Sequence, residues 1–278
     1  MEAPIPVIDI GRLDSPATRA AIDRACRDWG FFQIVGHGLD GALADRIMAA
    51  SRAFFAQPAA LKRRLLRDAE NPWGYYDQEL TKNRRDWKEI YDHGSSDGQR
   101  LAPRWPEAPL RETFEPAVRA YHGACTTLAR RLLAAMAVNL GAPPQALLHG
   151  FGDRHASFLR LNHYPPQPDP SGTGPAVLGV GEHTDSGALT LLLQDAQPGL
   201  EVQRDGRWHA VPPLAGALVV NIGDIVQVWS NDLYTAVVHR AVVDPLHDRY
   251  SVPFFFNPSY DTDYEPLPGA VTPERPAR

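Results

Sequence analysis

The segment Gly181-Glu182-His183-Thr184-Asp185-Ser186-Gly187 puts an imidazole and a carboxylate two residues apart. On an extended strand, residues i and i+2 point to the same face, so His183 and Asp185 can offer two legs of one metal site. A third leg has to come from another strand, because positions beyond Asp185 lie too far along. His239, in the apolar run Val237-Val238-His239-Arg240-Ala241, has no other evident role. Two histidines and one carboxylate leave three positions of an octahedral iron open to a co-substrate and oxygen, which is the ligand set of non-haem Fe(II) oxygenases. By itself His-x-Asp is a weak signal in a chain with ten histidines. A lone histidine in an apolar strand is commonly a hydrogen-bonded core residue, and a zinc hydrolase also uses two histidines and a carboxylate.

Ten residues beyond His239 stands Arg249-Tyr250-Ser251, at the head of the strand-like run Ser251-Val252-Pro253-Phe254-Phe255-Phe256. Arg249 and Ser251 share a face by the same period of two. A guanidinium fork with a hydroxyl beside it suits a carboxylate. Inside an apolar barrel such a pair needs an anionic partner, since an unpaired buried charge is very costly. On spacing alone, an internal ion pair with Asp224 or Asp244 meets that need equally well.

The elements that must position these residues change character along the chain. Pro6–Ile10 and Phe31–Val35 read as strands, and Ser15 caps a helix that carries Ile22, Ala25, Cys26 and Trp29 on one stripe. Helices are expected from about Gly41 to Phe55 and briefly after Pro58. Residues 69–115 are the least regular, and a long helix runs from about Pro116 to Leu140. Thereafter Ser157–Tyr164, Leu189–Gln194, Leu200–Gln203, Trp208–Val211, Ala217–Asn221, Ala236–Val243 and Ser251–Asn257 are short and β-branched or aromatic. Many closely spaced strands of this kind suggest a sandwich or jelly roll. The expected organisation is a single catalytic unit over 1–278: an N-terminal α/β region over 1–115, a backbone helix over 116–141 and a β core over 155–262.

Composition narrows the function classes. A net charge of -5 and an ordinary 44% apolar content give no basic face for nucleic acid. Lys62-Arg63-Arg64 with Arg67 reads as a solvated helix face. No apolar run reaches the roughly 20 residues of a membrane span. The N-terminus lacks a secretory pattern. The two cysteines, Cys26 and Cys125, read as buried free thiols. A cytoplasmic protein without nucleic-acid or membrane partners is expected, with a monomer as the working oligomeric state.

Several motifs together resemble one family. They are Arg160-Leu161-Asn162-His163-Tyr164-Pro165, His183-Thr184-Asp185, Asn221-Ile222-Gly223-Asp224, Ser230-Asn231, Tyr234, His239-Arg240 and Arg249-Tyr250-Ser251, with Trp29-Gly30-Phe31-Phe32 and Gly36-His37-Gly38 near the start. In order and spacing they resemble the isopenicillin N synthase-like branch of Fe(II)/2-oxoglutarate-dependent oxygenases, from about residue 4 to residue 262. The resemblance implies a mainly β fold with flanking helices around a double-stranded β-helix (jelly roll, cupin-like). His183, Asp185 and His239 would be the iron ligands. Arg249 and Ser251 would bind the distal carboxylate of 2-oxoglutarate, with Tyr164 and Asn162 assisting. Oxygen would be the other co-substrate and ascorbate a candidate reductant. The reaction would oxidise a C–H bond of a small organic metabolite by hydroxylation, desaturation or cyclisation, releasing succinate and carbon dioxide.

The resemblance also implies that Asn221–Asp224 shapes a turn and that His37 and Asp9 are structural. His163 stands where the family often has Tyr, and Ala236 where it often has Ser; neither should touch iron. Asp185 argues against halogenating members, where a small residue makes room for halide. The stretch after Asp263 is short, suggesting a small lid or an open pocket. Arg160, Phe158, Phe255, Tyr75, Tyr76 and Trp87 are substrate-contact candidates, with core packing as the bland alternative. Two rivals remain at this point: an oxidase of the same fold in which Arg249 and Ser251 hold a substrate carboxylate, and a non-catalytic β-barrel binding module.

Overall fold

The computed structural model of the chain describes residues 5–94, 101–167 and 177–277. In the N-terminal part, β1 (Val7–Asp9) and β2 (Phe31–Val35) flank helix α1 (Pro16–Asp28), followed by α2 (Gly41–Phe55) and the short α3 (Ala59–Arg63). Strands β3 (Gly74–Tyr76), β4 (Leu80–Thr81), β5 (Arg84–Arg85) and β6 (Glu89–Gly94) lead to the long helix α4 (Arg111–Asn139). Then come β7 (Phe158–Tyr164), β8 (Leu178–His183), β9 (Leu189–Gln194), β10 (Leu200–Arg204), β11 (Arg207–Ala210), β12 (Leu218–Ile222), α5 (Asp224–Trp229), β13 (His239–Val242) and β14 (Arg249–Phe256).

Two sheets result, in the orders β1-β2-β12-β9-β14-β7-β6-β3 and β11-β10-β13-β8. From β7 onward the chain alternates between them. β7, β9, β12 and β14 join the large sheet, and β8, β10 with its hairpin partner β11, and β13 form the small one. That winding is the double-stranded β-helix expected from the sequence.

β14 shows how the local pattern builds the layers. Val252, Phe254 and Phe256 point into a core shared with α2 and α4, where Phe54, Phe114, Tyr121, Cys125 and Leu128 are buried. Arg249, Ser251, Pro253 and Phe255 alternate with them and line a cavity between the sheets. Pairing with β7 lapses at Val252 and Pro253, where proline has no N–H to give.

Four expectations need correction. The long helix starts at Arg111, so Pro116 lies inside it and forgoes one backbone hydrogen bond. The irregular stretch 69–115, of which 95–100 lie outside the described residues, contains β6, a strand of the large sheet between β7 and β3. Lys62 and Arg67 are not a solvated face: Lys62 is buried and donates to Glu89 at 2.6 Å, and Arg67 pairs with Glu79 at 2.5 Å. Asn221–Asp224 is the end of β12 and the start of α5 rather than a simple turn.

Cys26 and Cys125 are free and buried, as expected, and burial pushes the Cys125 thiol up to about 12. His37 Nε2 bonds the Gly216 carbonyl oxygen and Asp9 accepts from the Gly11 N–H, both structural. None of the described residues after 263 lines the cavity; Asn231 instead donates to carbonyls of Ala270, Arg275 and Pro276. Among the described residues no helix is long and apolar enough to cross a membrane.

Candidate metal centre and carboxylate seat

His183 ends β8 and is the direct register partner of His239 at the start of β13. Cross-strand pairing therefore brings the two rings to a centroid separation of 4.3 Å. Asp185 lies two residues past the end of β8, not on an extended strand as the sequence suggested. Its backbone oxygen accepts from Asp224 N–H at 2.8 Å, which ties the connection to the start of α5. The carboxylate still meets both rings: Asp185 Oδ1 is 3.6 Å from His183 Nε2 and 3.7 Å from His239 Nε2. Two atoms bound to one ion at about 2.1 Å each can be at most about 4.2 Å apart, so these three can share a metal.

The surrounding hydrogen bonds aim the ligand atoms. His183 Nδ1 meets the Gly181 carbonyl oxygen at 2.8 Å and His239 Nδ1 that of Val237 at 3.1 Å. A carbonyl only accepts, so each Nδ1 carries the proton and each Nε2 keeps its lone pair for the centre. Asp185 Oδ2 accepts from the Thr190 hydroxyl and from Asn221 Nδ2 at 2.8 Å, leaving Oδ1 to face the rings. Burial disfavours the Asp185 carboxylate, yet both imidazoles and these two donors hold its pKa below the ordinary value. Burial, with His239 beside it, lowers that of His183 against the pull of Asp185. Both groups are thus kept in the protonation states that bind a metal.

The second cluster forms the same way. Arg249 pairs in register with Tyr164, and Ser251 with Asn162, across β14 and β7. Arg249 is 1% exposed, and its guanidinium carbon lies 5.0 Å from the Tyr164 ring centre. It donates to Gln194 Oε1 at 2.9 Å, while its Nε has no hydrogen-bond partner. Neither Asp224 nor Asp244 pairs with it; Asp244 instead accepts from the backbone N–H groups of Leu246 and His247. Asn162 Nδ2 donates to Ser251 Oγ at 3.2 Å, and Asn162 Oδ1 is buried without a partner. Gly199, at φ +147°, is needed here because a Cβ would fall 2.5 Å from the Val242 carbonyl oxygen and 3.2 Å from Arg249 Cδ.

One cavity joins the two clusters. It is lined by His183, Asp185, His239, Arg249, Ser251, Tyr164 and Asn162, and also by Arg160 and Phe255. The other substrate candidates lie elsewhere. Phe158 stacks behind Phe255 at 4.6 Å, the Tyr75 hydroxyl donates to Glu89, Tyr76 lies under Arg67, and Trp87 Nε1 donates to the Pro165 carbonyl oxygen. The aromatic loops thus pack; they do not line the pocket. Arg160 reaches the cavity but is bound to Asp92 at 2.7 Å and Glu79 at 2.8 Å, which makes it a brace. His163 faces away, between Glu89 and Asp248. The sequence reading missed Thr190, Asn221, Gln194, Glu79, Asp86 and Lys88. A polar residue in an otherwise apolar strand was the available signal for Thr190 and Asn221.

A double-stranded β-helix with two histidines and a carboxylate converging at its mouth defines the class of mononuclear metal oxygenases of the cupin type. The comparisons give the family. The 2OG-Fe(II) oxygenase superfamily model matches residues 155–258, and the model of the non-haem dioxygenase in morphine synthesis N-terminal region matches 5–108. Jasmonate-induced oxygenase 3 of Arabidopsis thaliana is 36% identical, over 98% of this chain and 77% of the relative. Gibberellin 20 oxidase 2 of Oryza sativa subsp. indica is 37% identical, over 98% and 72%. The crystal structure of JOX2 in complex with 2OG, Fe and JA superposes with a TM-score of 0.86 at 33% identity, over 99% of this chain and 81% of that one. This chain belongs to the Fe(II)/2-oxoglutarate-dependent oxygenase family. The residues present fit both groups: three converging donors suit the iron, and a buried guanidinium with no carboxylate partner among the described residues suits the dicarboxylate.

Proposed function

We propose that His183, Asp185 and His239 hold the iron of this dioxygenase and that Arg249 and Ser251 hold the distal carboxylate of 2-oxoglutarate, with Tyr164 and Asn162 completing that seat. The observation that carries this reading is Arg249. A guanidinium at 1% exposure, with one neutral amide as its hydrogen-bond partner and a bare Nε, is satisfied by a carboxylate ligand.

Iron and 2-oxoglutarate, once bound, supply the oxidising power, with oxygen as co-substrate and succinate and carbon dioxide as products. The protein's own residues orient and enclose. Gly181 and Val237 carbonyls fix the imidazole tautomers, Thr190 and Asn221 turn the carboxylate, and Arg249 would hold the co-substrate's distal carboxylate. Phe31, Val180, Leu192, Ala241, Pro253 and Phe255 give the cavity apolar walls that limit water around the reacting carbon.

The substrate in this reading is a small organic molecule, oxidised at a C–H bond. Related proteins carrying the names gibberellin 20 oxidase and jasmonate-induced oxygenase support that size class. The free buried thiols favour a reducing, cytoplasmic setting, with ascorbate as reductant. A monomeric single catalytic unit is the simplest assembly. The deciding experiment supplies anaerobic Fe(II) protein with 2-oxoglutarate and a metabolite panel, admits oxygen, and measures succinate and product mass. Gain of one oxygen identifies hydroxylation, and loss of two hydrogens desaturation or ring closure. Absence of succinate across the panel, uncoupled turnover included, sinks the reading.

A further inference from the structure

Besides Arg249 the cavity wall carries Lys88, Arg160 and Arg240, of which Arg160 and Arg240 are held by close carboxylates. Arg160, Asn162 and Tyr164 share one face of β7, and Tyr164 is four positions on from Arg160, about 13 Å along the strand. The Tyr164 end belongs to Arg249. Lys88 directly precedes β6, whose Glu89 pairs with His163, so its backbone stands beside Tyr164 while its side chain reaches along the wall to Asp86 and to Glu79, the partner of Arg160.

Lys88 stands out there. Its side chain is 3% exposed, and its nearest carboxylate oxygens, Asp86 Oδ2 and Glu79 Oε2, are 3.5 and 3.6 Å away. Charge-assisted hydrogen bonds are shorter, about 2.7–2.9 Å. Those oxygens already serve other donors. Glu79 Oε2 accepts from Arg160 at 2.8 Å and Oε1 from Arg67, while Asp86 Oδ2 accepts from the Thr81 hydroxyl at 2.9 Å and Oδ1 from the Gly181 N–H. An ammonium brings three donors and no acceptor. Among the described residues Lys88 makes no hydrogen bond, only the two long ion pairs.

We infer that Lys88 is a substrate-recognition residue and that the substrate is an organic acid whose carboxylate meets the Lys88 ammonium where it reaches into the cavity between Glu79 and Asp86. This rests on the reading that Arg249 seats 2-oxoglutarate. Glu79, Asp86 and Asp92 stand against Arg67, Lys88 and Arg160, and the donors of Lys88 stay unused. A carboxylate can engage two of them where a neutral carbonyl engages one. The apolar walls of the cavity, Val180 and Leu192 among them, suit a hydrocarbon body, and Arg160 occupies Glu79 and Asp92.

The test uses anaerobic Fe(II) protein with saturating 2-oxoglutarate, which fills the Arg249 seat and prevents turnover. Hexanoate, decanoate and 4-phenylbutyrate are titrated by calorimetry against their methyl esters. At least one acid is expected to bind about tenfold or more tightly than its ester. Lys88→Met should abolish that preference with 2-oxoglutarate affinity kept, and Lys88→Arg should retain it. Should K88M lose 2-oxoglutarate binding, K88Q, which keeps polar bulk, carries the same comparison. Esters that match the acids throughout, an acid preference that survives K88M or K88Q, or acids that displace 2-oxoglutarate each overturn the inference. Failure of the wild type to bind 2-oxoglutarate in the same instrument overturns the Arg249 assignment instead.

Discussion

Arg249 donates to the side-chain oxygen of Gln194 at 2.9 Å, and no carboxylate among the described residues pairs with it. Gln194 and Ser251 are register partners on β9 and β14, so the amide orients the fork without neutralising it. The charge is left for a ligand. Truncating one member of a buried, hydrogen-bonded charge pair costs about 2–5 kcal/mol. Arg249→Met is therefore expected to weaken 2-oxoglutarate binding by about 100-fold, and Arg249→Lys by less, since it keeps the charge and loses the fork. Calorimetric titration into the anaerobic Fe(II) protein reads both; affinity unchanged in Arg249→Met would count against the seat.

Asn221 touches no metal position directly, yet it holds Asp185 Oδ2 from the neighbouring β12. Loss of such an orienting partner commonly lowers metal affinity about 10–100-fold. Asn221→Ala should show that loss in an anaerobic Fe(II) titration, with Thr190→Val giving a similar, smaller effect. His239→Ala removes a ligand and should lose more than either. Equal affinity in Asn221→Ala and wild type would reduce Asn221 to a packing residue.

The legible parts of this molecule were those with a short sequence period. The alternation of β14 gives away both its core face and Arg249-x-Ser251. His183 and Asp185 were found by the same rule although only His183 proves to be on the strand, because the chain beyond it is tied back by Asp224. β6 was missed for a physical reason. Its Glu89, Asp92 and His93 look like loop residues, but Glu89 is matched by Lys62, 27 residues away, and Asp92 by Arg160, 68 away. Charge satisfied at such distance leaves no local pattern, and a proline inside α4 likewise disguised that helix's first turn.

Arg160 tests whether a cavity-lining cation recognises substrate or supports the wall. Its three hydrogen bonds to Asp92 and Glu79 argue for support. Removing one side of a buried ion network strands the other, at a cost of about 3–5 kcal/mol. Arg160→Met should accordingly lower the thermal midpoint by several degrees or more, measured without any ligand. A variant as stable as wild type that had lost only substrate affinity would return Arg160 to the recognition role.

Glu79 gives the same network a signature in pH. Burial works against its carboxylate, but Arg160, Lys88 and Arg67 outweigh that and bring its pKa to about 2, from an ordinary value of 4.5. A folded-state pKa below the unfolded one contributes stability that is complete above the unfolded value and vanishes as pH falls through the folded value. The window for Glu79 is therefore from about pH 5 down to about pH 2, and the contribution is at most roughly 3 kcal/mol. Glu79→Gln cannot titrate. The stability difference between wild type and Glu79→Gln, from denaturant unfolding at a series of pH values, should be largest above pH 5 and shrink steadily towards pH 2. A difference that stays constant across that range would mean that Glu79 acts through its shape and hydrogen bonds, with its charge screened or already neutral.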